Sequence, residues 1–280
     1  MSGALKNTQE RSVTESSTQY AEAEREGAGR SSSAAHPARE GLSLRAQDAL
    51  HHRATPYGNY KNYYTFRPAS TSSSTTDSIP DPTDLDQRLR LLDSTLFRDK
   101  TVLDLGTNAG KISHDLTKHF EPRRVLGVDI DQVLVRDANR IATDQQLLAR
   151  GLSFELGDFM QPGWLEQLSA REGAGTFDVV LLFSVTKWLH LHHGDEGMLR
   201  LFSSLHSFLP EGGVVVIEPQ ERENYARAVK KNKDLRPVFK TIEHWPPFES
   251  EMTAAGFKLE QRIERVEGGF SRPLLVWRKH

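Results

Sequence analysis

The chain has 280 residues, 37% of them hydrophobic and 26% charged, with a formal net charge of −2 and no cysteine. That length suits one large domain or two small ones. The missing thiols exclude a disulfide scaffold and a thiolate zinc site, and no apolar run approaches the ~18 residues of a membrane span. The N-terminus has neither a signal-peptide core nor the acid-poor composition of a transit peptide, so a soluble intracellular protein is expected.

Residues 1–55 are expected to form a disordered tail. They are rich in Ser, Ala, Glu and Arg, and Tyr20 is their sole aromatic, too little apolar surface to offset ordering entropy. The stretch YGNYKNYYTFRP (57–68) then gathers four tyrosines and a phenylalanine with no aliphatic neighbour. Rings in that setting make a poor core and a good stacking platform. We assign 56–68 to an aromatic lid, 69–84 to a flexible Ser/Thr-rich linker, and the whole of 56–280 to one domain.

From about residue 85 the pattern changes. TVLDLG (101–106) reads as a short strand ending in glycine, KISHDLTKHF as a helix, RVLGVDI (124–130) as a second strand, and QVLVRDANRIATDQQLLAR (132–150) as a helix. LSFELGD is a third strand. FDVVLLFS (177–184) is a continuous apolar run, expected of a strand buried on both faces. Ser184–Glu196 reads as a loop, and DEGMLRLFSSLHSFL (195–209) as a helix opened by an Asp cap. VVVIEP is a fifth strand, and FKLEQRIERV and RPLLVWRK form a closing hairpin across EGGFS. This alternation predicts a doubly wound, Rossmann-like α/β fold: a seven-stranded, mostly parallel sheet with a C-terminal antiparallel hairpin. Ligands of such sheets bind outside the carboxyl ends of the strands.

The loop after the first strand, Gly106-Thr107-Asn108-Ala109-Gly110, lacks the middle glycine of a dinucleotide site, where backbone must approach a pyrophosphate. A nucleoside with an amino-acid tail needs only the first and last glycines, and S-adenosylmethionine is such a ligand. Asp129, 23 residues after Gly106, stands where a carboxylate would accept both ribose hydroxyls. Asp158 and Phe159 could supply a carboxylate and a ring for the adenine. A tight turn and an ordinary strand-end acid would explain either feature alone; the two in this order favour the cofactor. After strand four, Lys187, Trp188 and three histidines stand where the methyl would be transferred. No Glu lies in helical register between the histidines, so a metal site is not expected. A cationic pocket for an anionic acceptor is preferred to a bland loop with a packed Trp188. The run RAVKKNKDLRPVFK (227–240) carries six Lys or Arg against one Asp and suits a phosphate backbone.

YGNYKNYYTFRP, RLRLL, VLDLGTNAG, GVDID, SVTKWLHLHHGDEG, GGVVVIEPQ and GGFSRPLLVW together resemble the methylphosphate capping enzymes, the bicoid-interacting type of RNA methyltransferase, over roughly residues 56–280. The resemblance implies methyl transfer from S-adenosylmethionine to the 5′ γ-phosphate of a small non-coding RNA, in the nucleus or the cytoplasm, with a La-related protein as a ribonucleoprotein partner. It implies cofactor contacts from Tyr64, Arg67, Arg88, Gly106, Thr107, Asn108, Gly110, Asp129, Ile130, Asp158, Phe159 and Phe183. Lys187 matches the lysine beside the acceptor phosphate, with His190 and nearby arginines sharing the charge. Tyr63 and Phe270 match rings that sandwich the first base, and Tyr225 and Arg272 complete the RNA-facing set. The chain departs from the pattern at Thr107, where cysteine is more usual, at Asp158-Phe159, at His192-His193, and after Gln220. Rival readings are an RNA 5′-monophosphate methyltransferase, a largely non-catalytic RNA-stabilising subunit, and a small-molecule methyltransferase.

Overall fold

The computed structural model describes residues 57–58, 85–264 and 272–280. The tail, most of the lid, the linker, Tyr63, Tyr64, Arg67 and Phe270 lie outside them.

A short helix α1 (Gln87–Arg90) leads into β1 (Thr101–Leu105), α2 (Lys111–His119), β2 (Arg124–Asp129), α3 (Gln132–Asp144), β3 (Leu152–Leu156), α4 (Trp164–Glu172) and β4 (Val179–Phe183). Then come α5 (Thr186–Phe208), β5 (Val214–Glu218), α6 (Arg222–Lys231), α7 (Arg236–Phe239), α8 (Glu249–Ala254), β6 (Phe257–Ile263) and β7 (Leu274–Lys279). The sheet runs β3-β2-β1-β4-β5-β7-β6, with β1 to β5 parallel and β7 antiparallel to both β5 and β6. The expected seven-stranded sheet with its antiparallel end is present.

The strand periodicity of two divides the core. Leu103, Leu105, Val180, Leu182, Val215 and Ile217 face α4, α5 and α8. Their chain neighbours Val102, Val179, Leu181, Phe183 and Val216 face α1, α2 and α3. Each such side chain, fully buried, stabilises the fold by about 1.5–3 kcal/mol relative to exposure. A third, smaller cluster of Leu191, Tyr225, Ala228, Val229, Leu235 and Ile242 fixes α6 to the start of α5.

Three local expectations need correction. The helix after β2 ends at Asp144 rather than near residue 150: Gln146 turns into left-handed backbone, φ 56°, and a separate 3₁₀ turn follows at Leu148–Arg150. The segment 184–196 is a helix rather than a loop from Thr186 onward. Its polar, histidine-rich sequence hides that state because its apolar side is divided, Leu191 and Trp188 packing on the small third cluster and Val185 and Leu189 on the sheet core. Gly194, at φ 65° and ψ −172°, breaks α5 into two segments, a backbone state for which glycine carries no Cβ penalty. Finally, α4 was not expected; nine residues between Gly163 and Gly173 give too short a pattern, although Leu165 and Leu168 bury its inner side.

Because strand order reverses between β1 and β4, the loops after these two strands meet at the switch point. The site is there.

Candidate active site

A cleft opens at the carboxyl ends of β1, β2, β3 and β4. Gly106, Asn108, Asp129, Ile130, Asp158, Phe159 and Phe183, all expected cofactor residues, line it. Gly106 has φ 78°, and a Cβ there would come within 2.7 Å of Val185 Cγ2, so this turn needs glycine. The Asp129 carboxylate is only 6% exposed. It accepts the backbone N–H of Asn108 at 2.8 Å on one oxygen and that of Asp131 at 3.0 Å on the other. Burial holds its pKa above the usual carboxylate range, opposed by those two N–H donors. Each oxygen keeps a lone pair for a ribose hydroxyl. Ile130 is partly exposed, whereas Phe159 is buried with its ring edge-on to Trp164 at 6.5 Å. Asp158 accepts the N–H of Met160 at 3.1 Å, which fixes the turn after β3.

Two expected cofactor residues act one layer back. The Thr107 hydroxyl donates to Asp104 at 2.7 Å, as does that of Ser113, so this buried carboxylate ties the β1 loop to α2. Burial raises the Asp104 pKa, which the two hydroxyls oppose. Gly110 is the left-handed residue that opens α2. Arg88 also departs from expectation. Its guanidinium is 1% exposed, bonds Asp86 and Glu218 at 2.9 Å, and sits 5.0 Å from the centre of the Phe183 ring. It supports the cleft wall from behind and does not line it.

The acceptor side is built on the start of α5. Trp188, Leu189, His192 and His193 line the cleft together with Tyr57 and Gly58, and Tyr57 lies 4.8 Å from the His192 ring. Lys187 places its ammonium 4.3 Å from the centre of the Trp188 ring. No carboxylate among the described residues lies within ion-pairing distance of that ammonium. Burial, then Arg272, Lys231 and Arg227, lower the Lys187 pKa to about 7. The cations near Lys187 are thus Arg272, just before β7, and Arg227 and Lys231 from α6. Among the described residues no His/Asp/Glu group could hold a metal ion, and no helix is long and apolar enough to cross a membrane.

His190 and Tyr225 require a different assignment. Both are fully buried. His190 Nε2 lies 2.7 Å from Asp195 Oδ1, and Nδ1 lies 3.4 Å from the Tyr225 hydroxyl. A carboxylate only accepts, so Nε2 carries the proton and the tyrosine donates to Nδ1. Burial lowers the His190 pKa, opposed by Asp195, and burial raises that of Tyr225. With both ring nitrogens engaged, His190 has nothing left for an acceptor. It is internal support. Arg272 is 7% exposed and donates to Ser184 Oγ at 3.1 Å.

Sequence reasoning missed Ser184, Glu218, Gln220 and Asp195. Ser184 donates to Glu218, and Gln220 bonds Ser184, Thr186 and Lys187. Only position could have exposed them: Ser184, Glu218 and Gln220 lie at or just beyond the carboxyl ends of β4 and β5, and Asp195 follows the Gly194 break.

Comparison with known proteins accords with this geometry. A methyltransferase domain model matches residues 102–213, and the model of bicoid-interacting protein 3 matches 177–279. The U6 snRNA methylphosphate capping enzyme Amus of Drosophila melanogaster is 31% identical over 80% of this chain and 74% of its own length. The RNA 5′-monophosphate methyltransferase of Mus musculus is also 31% identical, over 67% of each chain. The crystal structure of WbdD superposes with a TM-score of 0.50 at 21% identity, covering 70% of this chain and 41% of its own, which concerns the fold alone. A cleft with the strand-end carboxylate and glycine turn of a nucleoside site fits S-adenosylmethionine as methyl donor, and the chain belongs to the bicoid-interacting protein 3 family of methyltransferases.

Proposed function

We propose that this protein transfers a methyl group from S-adenosylmethionine to a phosphate oxygen at the 5′ end of a small non-coding RNA, with the γ-phosphate of a triphosphate end as the preferred acceptor. The observation that carries this reading is Lys187, a half-buried ammonium beside the cleft-lining Trp188, with Arg272, Lys231 and Arg227 as its cationic neighbours and no carboxylate at pairing distance among the described residues. Such a group answers a polyanionic acceptor. The cofactor, when bound, supplies an electrophilic methyl on a sulfonium.

The protein's own tasks are binding, alignment and charge. Asp129 would accept the ribose hydroxyls, and Ile130 and Phe159 would border the base. Lys187 would hold the terminal phosphate as a point charge, near enough to stabilise it and mobile enough to leave one oxygen reactive. A phosphate oxygen is already an anion, so no general base is required. Rate would come from alignment at ~3 Å. Tyr63 and Phe270 would stack on the first base, at roughly 1–3 kcal/mol per base, and Tyr64 and Arg67 would close over the cofactor.

The relative named for U6 snRNA supports a small nuclear RNA and a nuclear setting. A La-related protein as ribonucleoprotein partner extends the same reading, and co-purification with the RNA tests it. The relative named for 5′-monophosphate ends supports the alternative acceptor. The test uses one RNA sequence with a 5′-triphosphate, a 5′-monophosphate or a 5′-hydroxyl, and labelled S-adenosylmethionine. Label should enter the triphosphate RNA, less of the monophosphate and none of the hydroxyl RNA. Label on the hydroxyl RNA, or recovered in internal nucleosides, would overturn phosphate methylation.

A further inference from the structure

Ser184, the residue after β4, has φ 58°, a sparsely populated state for a residue with a side chain. The chain then enters α5 through Val185, whose side chain offers no oxygen to the first N–H groups of the helix. The missing cap comes from the neighbouring strand. Gln220, two residues beyond β5, accepts the Lys187 N–H at 3.0 Å and the Thr186 hydroxyl at 3.1 Å on Oε1, while its Nε2 donates to the Ser184 carbonyl. The side chain is 2% exposed, so water cannot replace these bonds cheaply. The amide orientation is dictated as well: a flip would face NH₂ against the Lys187 N–H and oxygen against a carbonyl.

We propose that Gln220 is the positioning residue for Lys187, capping α5 from the adjacent strand and thereby setting where the acceptor phosphate is held. It does not line the cleft and touches Lys187 through backbone alone. Its three partners are the strained residue itself and the first two residues of α5, so one side chain fixes the turn, the helix start and the register of the lysine together. Substitution should therefore move the lysine before it disturbs Asp129 or the Gly106 turn, which belong to β1 and β2. This inference rests on the acceptor role proposed for Lys187.

The test compares wild type, Lys187→Ala, Gln220→Ala and Gln220→Glu on a 5′-triphosphate RNA, with S-adenosylhomocysteine calorimetry and melting curves. Gln220→Ala should lower the methyl-transfer rate by about 10-fold to 10²-fold, the scale of a misplaced reacting group, with unchanged S-adenosylhomocysteine affinity. Gln220→Glu keeps the two acceptor contacts, loses the donor to Ser184 and adds a carboxylate beside the Lys187 turn. It should move the alkaline limb of the kcat/KM profile to higher pH, a shift that mere loosening of the fold would not produce. A wild-type rate in Gln220→Ala while Lys187→Ala is inert would overturn the positioning role and spare the functional reading. So would a rate loss matched by an equal loss of S-adenosylhomocysteine affinity. Wild type inert on every 5′-phosphate RNA would overturn the functional reading, and this inference with it.

Discussion

On the β1–β2 side of the cleft the charged groups are carboxylates held by donors that tie neighbouring elements together: Asp129 by the backbone N–H groups of Asn108 and Asp131, Asp104 by the hydroxyls of Thr107 and Ser113. On the α5–α6 side, around Lys187, the neighbouring charges are cations. Lys187 rests against an indole, and Arg227, Lys230, Lys231, Lys233, Arg236 and Lys240 have no carboxylate at pairing distance among the described residues. Elsewhere on the surface such residues do pair, as Arg171 with Glu155 at 2.6 Å and Arg262 with Glu249 at 2.8 Å show. Surface pairs contribute little to stability, so the contrast concerns ligands. A preorganised carboxylate selects a neutral, hydroxyl-rich ligand, and a cation field without internal partners selects a polyanion.

Removing the lysine attacks that contrast most directly. Lys187→Ala should lower kcat on triphosphate RNA by about 10²-fold or more, the usual cost of deleting one charge-stabilising donor. Affinity for S-adenosylhomocysteine should not change. Because burial and its cationic neighbours bring the Lys187 pKa to about 7, the ammonium is present below that pH and lost above it. The kcat/KM of the free enzyme should therefore fall as pH rises through about 7, and the fall should vanish in the alanine variant. A flat profile in wild type would show that the charge of Lys187 is not used.

Asp129→Ala tests the opposite half. Each lost charge-assisted hydrogen bond is worth about 1.5–3 kcal/mol, or roughly 10-fold to 150-fold in affinity. Calorimetry with S-adenosylhomocysteine should show that loss while the salt dependence of RNA binding stays as in wild type. If affinity is retained, the strand-end carboxylate is not a ribose site.

Within the basic run the structure divides the residues. Arg227 and Lys231 are near enough to influence Lys187; Lys233 and Arg236 lie further along the chain. Neutralising Arg227 and Lys231 together should weaken RNA binding and flatten its salt dependence by up to about 0.7 per lost contact. Neutralising Lys233 and Arg236 should do less at the 5′ end and act through the RNA body. Equal effects from both pairs would mean that the run binds without register.

The sheet was legible because its strands are short apolar runs closed by Gly106, Asp129 and Ser184, and because hydrophobic periodicity switches cleanly between strand and helix. The cofactor wall was legible for the same reason: a strand-end acid and a glycine turn occupy fixed places in this topology. The start of α5 was not. Its cap comes from Gln220, 33 residues later in the chain than the Lys187 N–H it receives. A tertiary cap leaves no local signature. His190 and Tyr225 misled for a related reason, since a histidine beside a lysine is read as a surface group until the packing of α6 over it is known.

Tyr225→Phe asks how much of the acceptor half depends on that packing. The ring fills the small cluster between α5 and α6 and meets Trp245 edge-on at 5.4 Å, so phenylalanine keeps the volume and removes only the donor to His190. A neutral hydrogen bond contributes about 0.5–1.5 kcal/mol, and 3.4 Å is long, which places this one at the low end. His190 would retain Asp195 through Nε2, but Nδ1 would be a buried acceptor without a donor. The expected result is a small fall in melting temperature and a rise of a few-fold in KM for RNA, with kcat and S-adenosylhomocysteine affinity unchanged. That split follows from α6 carrying Arg227 and Lys231 while the methyl donor sits on the other half. A fall in kcat instead would mean that the Tyr225–His190–Asp195 chain reaches the reacting phosphate itself.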